Sequence, residues 1–301
     1  MILETKATLL VLLIFCVLLL SIPNIGLVKA EGTIYIRSDG AVEGTDKIQR
    51  NGEIYVLTGN ISAGIQVQKS NIVLDGAGYT VQGNGVENQR GIDLSNDRGS
   101  DLSRPKISNV TVKDMRIVNF SCGVAHVNTA NNTIIGNYIA DCFIGINVMG
   151  SPNDFLIKNN TFVNNVNPIS IAYSGGVQVI TENSFIDGNF IIVWLSPEPD
   201  VDRNYWSDYN GTDADGNGIG DSPYVYGGHQ ESKYIDKHPL VEPVPVIAEF
   251  PSWTIVLPLV IAVMLDAVAY RRELSKSNKR GMGLTEITGT NIQVTTLTAT
   301  E

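Results

Sequence analysis

The polar and apolar positions of this chain fall into columns. Asparagines recur at Asn137, Asn160, Asn183 and Asn204, at steps of 23, 23 and 21 residues. Two positions after each stands a bulky apolar residue: Ile139, Phe162, Phe185 and Trp206. A second column runs in register with the first: Gly123-Val124, Gly145-Ile146, Pro168-Ile169 and Phe190-Ile191. Between the columns, apolar and polar residues alternate over short runs. Val110-Thr111-Val112, Ile144-Gly145-Ile146-Asn147-Val148 and Ile169-Ser170-Ile171 have the two-residue period of strands. Asn and Gly between the runs supply turns and tolerate left-handed backbone. A repeat of about 22 residues with two or three short strands predicts one coil of a parallel β-helix. Such a coil cannot bury its own apolar face, so the coils must stack to make a core. The leucine pattern of leucine-rich repeats is absent, and the helical repeats are longer.

Each coil of a parallel β-helix rises by one strand spacing, about 4.8 Å. Residues one period apart therefore lie directly above one another. The Asn column then predicts a ladder in which each amide donates to the carboxamide oxygen of the next. Earlier coils are less regular but visible at Gly64-Ile65-Gln66-Val67, Asn71-Ile72-Val73-Leu74-Asp75-Gly76 and Gly91-Ile92-Asp93-Leu94. About seven coils fit between Gly52 and Trp206. Ser95 to Lys106 is a polar insertion expected to leave the stack as a loop, either as a binding surface or as a tolerated excursion.

The flanks carry other patterns. Residues 1–30 read as a signal peptide: Lys6, an apolar run from Ala7 to Leu20, then small residues at Val28-Lys29-Ala30. The β-helix is expected over 31–206, a C-terminal segment over 207–240 and a proline-rich stalk over 241–252. Residues 253–270 are apolar, and eighteen residues of helix span about 27 Å, enough for a bilayer core. Trp253 and Tyr270 stand at its ends as interfacial aromatics. Arg271, Arg272, Lys276, Lys279 and Arg280 follow, which places residues 271–301 in the cytoplasm and the β-helix outside. The expectation is therefore an all-β chain, a right-handed parallel β-helix with a C-terminal single transmembrane helix.

Charge narrows the partners. The whole chain has a formal net charge of −10, and the exterior part from Glu31 to Phe250 holds 14 basic and 26 acidic residues. This argues against nucleic acid and favours cations. Six Asn-x-Ser/Thr sequons, at Asn60, Asn109, Asn119, Asn131, Asn159 and Asn210, permit glycosylation. Cys122 and Cys142 lie on adjacent rungs; a disulfide and two buried free thiols are both compatible with their spacing.

One segment has the spacing of a cation site. In Asp213-Ala-Asp215-Gly-Asn217-Gly218-Ile219-Gly-Asp221, oxygen ligands fall at positions 1, 3, 5 and 9 of an EF-hand-like loop. The Ile219 carbonyl stands at position 7, and Gly218 at position 6 allows the turn. The expectation is a structural calcium ion held by Asp213, Asp215, Asn217, Ile219 and Asp221. Position 12 departs from the pattern, with Tyr224 where a bidentate Glu is usual; Asp208 or water could complete the shell. Catalytic signals are thinner. Asp141 and Asp187 share a column but are two coils apart, with Asn164 between, and Asp75, Asp93 and Asp114 belong to other faces. His126 aligns with Val148 and Ile171 in an apolar column, with Met115, Met149, Cys122 and Cys142 on nearby rungs. These are soft ligands that could hold copper, but the reading favoured by the pattern is a core histidine with ordinary apolar packing.

Several stretches together resemble archaeal NosD-like β-helix surface proteins. They are Gly32-Thr-Ile-Tyr-Ile-Arg37, Leu74-Asp-Gly-Ala-Gly-Tyr79, the Asn-x-Ile/Phe coils, Asn204-Tyr-Trp-Ser-Asp-Tyr209 and Glu249-Phe-Pro-Ser-Trp253. The resemblance implies the right-handed parallel β-helix shared by carbohydrate-binding proteins and sugar hydrolases. It also brings a family label of periplasmic copper handling. The function expected is a non-catalytic, membrane-anchored cell-surface protein that binds glycans or envelope components. The alternatives are a purely structural envelope protein, a polysaccharide hydrolase or lyase, and a copper-handling protein.

Overall fold

The computed structural model describes residues 32–95, 107–150, 154–173, 175–187, 191–194, 196–226 and 234–245. The chain divides into two compact units, Met1–Ala248 and Glu249–Glu301. The expected signal peptide, most of the 95–106 insertion, the 253–270 span and the tail lie outside the described residues. Among the described residues no helix is long and apolar enough to cross a membrane.

The first unit is a parallel β-helix with three faces, which we label A, B and C in the order in which each coil visits them. The A face stacks Ile34–Ile36, Ile65–Val67, Arg90–Asp93, Cys122–Val127, Ile144–Met149, Asn167–Ala172 and Ile191–Trp194 in parallel. The B face runs from Ile54–Leu57 through Ile72–Asp75, Val110–Lys113, Asn132–Ile135, Phe155–Lys158 and Gln178–Thr181 to Asp200–Asp202. The C face runs from Thr80–Gln82 through Arg116–Val118, Tyr138–Ala140, Thr161–Val163 and Ser184–Ile186 to Tyr205–Trp206. The six strands of the C face count six complete coils. Sequence spacing suggests about seven. The difference lies at the start, where the first turn reaches the C face only as a single bridge between Ile61 and Val81.

Alternation along each strand places its apolar residues inward. On the A face the inward column is Ile36, Val67, Leu94, His126, Val148, Ile171 and Val193. On the C face Ile139, Phe162, Phe185 and Trp206 stack in register. The ring centroids of Phe162 and Phe185 are 5.1 Å apart with their planes at 7°, and those of Phe185 and Trp206 are 4.4 Å apart with their planes at 18°. Both columns are buried.

Two columns of left-handed residues make the corners that flank the C face. Asp114, Gly136, Asn159, Glu182 and Arg203 precede it with φ between 50° and 66°. Asn119, Asp141, Asn164 and Asp187 follow it with φ between 52° and 62°. Asn and Asp tolerate this conformation better than most residues. The column that joins Asp141 to Asp187 is therefore a turn requirement of the backbone.

Both ends of the stack are covered. At the start, Val42–Glu43 pairs antiparallel with Ile34–Ile36, and Ile48–Asn51 pairs antiparallel with Ile54–Leu57. At the end, Leu240 bridges to Tyr205, and the hairpin of Tyr224–Tyr226 with Tyr234–Asp236 extends the aromatic stack. Trp206 stacks on Tyr226 at 5.1 Å and on Tyr224 at 4.6 Å. Open sheet edges invite pairing with other chains, and these segments close them.

Candidate functional site

The outward side of the A face carries an open groove of about 600 Å³. Its floor is formed by Tyr35, Gln66, Asp93 and Asn147, from the column that alternates with the inward one. Its wall is the corner where the chain turns from the C face to the A face, with Gln89, Arg90, Ser121 and Cys122. That corner is tight because glycines occupy it. A Cβ on Gly64 would lie 2.1 Å from the Arg90 carbonyl, and one on Gly123 would lie 2.6 Å from the Gly145 carbonyl. The glycine column thus lets successive coils approach closely.

The groove is polar and only partly self-satisfied. The Arg90 guanidinium reaches Asp93 Oδ1 at 3.3 Å and donates to Ser95 Oγ at 3.1 Å. The Gln89 carboxamide oxygen accepts from the Asn84 N–H at 3.0 Å. Among the described residues, the side chain of Asn147, the Gln89 NH₂ and the hydroxyls of Ser121 and Tyr35 have no hydrogen-bond partner. Such groups, held on a rigid sheet, are what a hydroxylated ligand engages. A second concavity adjoins the first around the corner and shares Asn88 and Ser121 with it. It contains Glu87, Asp141 and the exposed ring of Phe143, 59% accessible.

The cation-loop residues lie together in the C-terminal segment. Asp213 accepts from the N–H groups of Asn217 at 3.1 Å and Gly218 at 2.9 Å. Asp215 Oδ1 accepts from the Asn217 N–H at 3.1 Å, and Asn217 Oδ1 from the Ile219 N–H at 2.8 Å. These hydrogen bonds hold the Asp213 carboxyl below its usual range, the Gly218 N–H contributing most. Asp221 Oδ2 instead accepts from Thr212 Oγ1 at 2.9 Å and from the Ala214 N–H at 3.0 Å. Asp208 accepts from the Tyr224 hydroxyl at 2.8 Å, so both residues considered for the end of the loop bond each other. Among the described residues no three His, Cys, Asp or Glu side chains converge as a metal group. The donors are all oxygen, as a hard divalent cation requires, but their number fits an open, water-completed site better than a closed cage.

The soft-ligand residues do not come together. His126 is in the core column of the A face, its ring 5.4 Å from that of Phe155. Met115 is buried at the corner that precedes the C face, where its N–H donates to Asn137 Oδ1 at 3.1 Å. Cys122 and Cys142 are both free thiols near the following corner, buried so that their pKa values rise to about 12 and about 11. Among the described residues neither nitrogen of His126 has a hydrogen-bond partner, and burial lowers its pKa to about 4.

Spacing alone did not single out Asp236. The Asn ladder runs from Asn137 to Asn204, with each Nδ2 donating to the next Oδ1 at 3.0 Å. The Asp236 carboxylate closes it. It accepts from the Asn204 N–H at 2.9 Å, the Arg203 N–H at 3.0 Å, the Trp206 Nε1–H at 3.0 Å and Asn204 Nδ2 at 3.3 Å. Burial pushes this carboxyl above its usual range, and the donors oppose the shift. The groove residues did carry a signal. Gln66, Asp93 and Asn147 are the polar members of Ile65-Gln66-Val67, Ile92-Asp93-Leu94 and Ile146-Asn147-Val148, and therefore share one outward column.

No curated protein and no solved structure matches the chain. A family model described as right handed beta helix region matches residues 47–206. That stretch holds the stacked coils and the groove's central rungs, and the chain belongs to this right-handed β-helix family.

Proposed function

We propose that this chain is a non-catalytic, cell-surface β-helix protein that binds glycans or envelope components through the A-face groove. The observation that carries the reading is the groove itself, about 600 Å³ and floored by Tyr35, Gln66, Asp93 and Asn147. The Asn147 amide, the Gln89 NH₂ and the hydroxyls of Tyr35 and Ser121 are the donors and acceptors that sugar hydroxyls require. Family membership is compatible with carbohydrate-binding roles, and the resemblance to NosD-like surface proteins points the same way. The secretory pattern of residues 1–30 and the apolar 253–270 segment support an exterior β-helix held by one membrane span, with residues 271–301 in the cytoplasm.

Calcium belongs to the same proposal. Asp213, Asp215, Asn217 and the Ile219 carbonyl would hold the ion, with Asp221 bracing the loop through Thr212 and Ala214. Its role would be to stiffen the segment that covers the last coil.

A glycan array probed with the full-length chain tests the binding. The expected result is retention of at least one glycan class, weakened about tenfold by Asn147→Ala, as loss of a buried polar contact implies. Signal at background across the array would leave the purely structural alternative standing.

A further inference from the structure

The groove and the concavity beside it differ in chemistry, and together they select a ligand. We infer that they form one track for a neutral pyranoside chain, with the Phe143 ring as stacking platform, and that the track rejects uronate and sulfated sugars. This rests on the glycan-binding reading above and narrows it to a substrate class.

Three observations carry the inference. First, the two concavities share Asn88 and Ser121, so a ligand on the A face continues around the corner without leaving the surface. Second, Phe143 is 59% exposed at that corner, although its neighbours in the chain, Cys142 and Gly145, are buried. An aromatic ring beside a polar groove offers a flat apolar face to the C–H side of a sugar, while amides take its hydroxyls. Third, the charges on the track are unbalanced. Among the described residues Glu87, Asp93 and Asp141 face it, against Arg90 alone. Arg90 is already committed to Asp93 at 3.3 Å and Ser95 at 3.1 Å. Among the described residues of this track, an anionic sugar would meet the carboxylates of Glu87 and Asp141 and no cation other than Arg90, and like charges at short range are costly. A neutral sugar meets amides, hydroxyls and an aromatic face.

Calorimetric titration of the full-length chain tests this, in a detergent without a sugar headgroup. The ligands are cellohexaose, mannohexaose, N-acetyl-chitohexaose and hexagalacturonate. Binding of at least one neutral hexaose, with hexagalacturonate at least tenfold weaker, is the expected result. Phe143→Ala should weaken the neutral ligand at least tenfold while leaving the melting temperature unchanged, and Phe143→Trp should restore affinity. The double variant Glu87→Gln, Asp141→Asn should improve hexagalacturonate binding and leave the neutral ligand unchanged. Neutral binding indifferent to Phe143→Ala, or hexagalacturonate bound as tightly as the neutral ligand, would overturn the inference and leave the groove as a glycan site. Silence with all four sugars and on the array would remove the glycan-binding reading itself.

Discussion

At the scale of the residue, stability concentrates where polar groups are buried. Asn160 has no exposed surface; its Nδ2 donates to the Ile134 and Lys158 carbonyls and to Asn183 Oδ1, and its Oδ1 accepts from the Asn137 N–H at 2.9 Å. Asn160→Ala strips several buried partners at once and should cost about 3 kcal/mol, read by chemical denaturation. A loss under about 0.5 kcal/mol would mean that the ladder contributes nothing net. His126 is the opposite case, a polar ring with nothing to bond. Its folded pKa of about 4 lies below the ordinary value of 6.5, so the fold holds the neutral form. Its contribution is complete above pH 6.5 and is lost as pH falls toward about 4. His126→Leu restores the apolar column of Leu94 and Val148. It should stabilise the chain by about 1–2 kcal/mol at neutral pH and flatten the decline of melting temperature between pH 6.5 and 4.

At the scale of the element, a strand's face is set by its register, and its register by the corners. The corner into the A face works only while its column stays small. A methyl on Gly123 would press on the Gly145 carbonyl and come within 3.1 Å of Ile139 Cγ2. Gly123→Ala should therefore cost roughly 1–3 kcal/mol through overpacking, visible in thermal melting. Much of this element-level order was legible beforehand. The Asn column, the Ile139-to-Trp206 column and the placement of His126 all occur in register. They were legible because a stacked coil converts sequence period directly into contact.

At the scale of the whole molecule, the ends decide whether the stack survives. Among the described residues Asp236 meets only N–H donors, which an ionised carboxylate satisfies and an amide does not. Asp236→Asn would turn an NH₂ group toward one of those donors. It should cost about 2–4 kcal/mol and shift the Trp206 fluorescence as the cap loosens. Calcium is expected to raise the melting temperature of the full-length chain, and Asp213→Ala to abolish that increase. An identical melt with calcium and with chelator would reduce the loop to the turn that its hydrogen bonds already describe.

Sequence alone determined the solenoid, the inward columns, the outward alternation and the residues of the acidic loop, because each is a local pattern or a repeat at one fixed period. Only the tertiary structure decided three further things: that the coils number six where spacing suggested seven, that Asp236 closes the Asn ladder, and that Arg90, Asp93, Asn147 and Phe143 border one track. Those relations join residues about 20 to 60 positions apart through irregular coils and a cap outside the repeat. Periodicity carries information about which residues stack. It carries none about where a turn of variable length leaves a hollow, or which distant carboxylate folds back to meet the last amide.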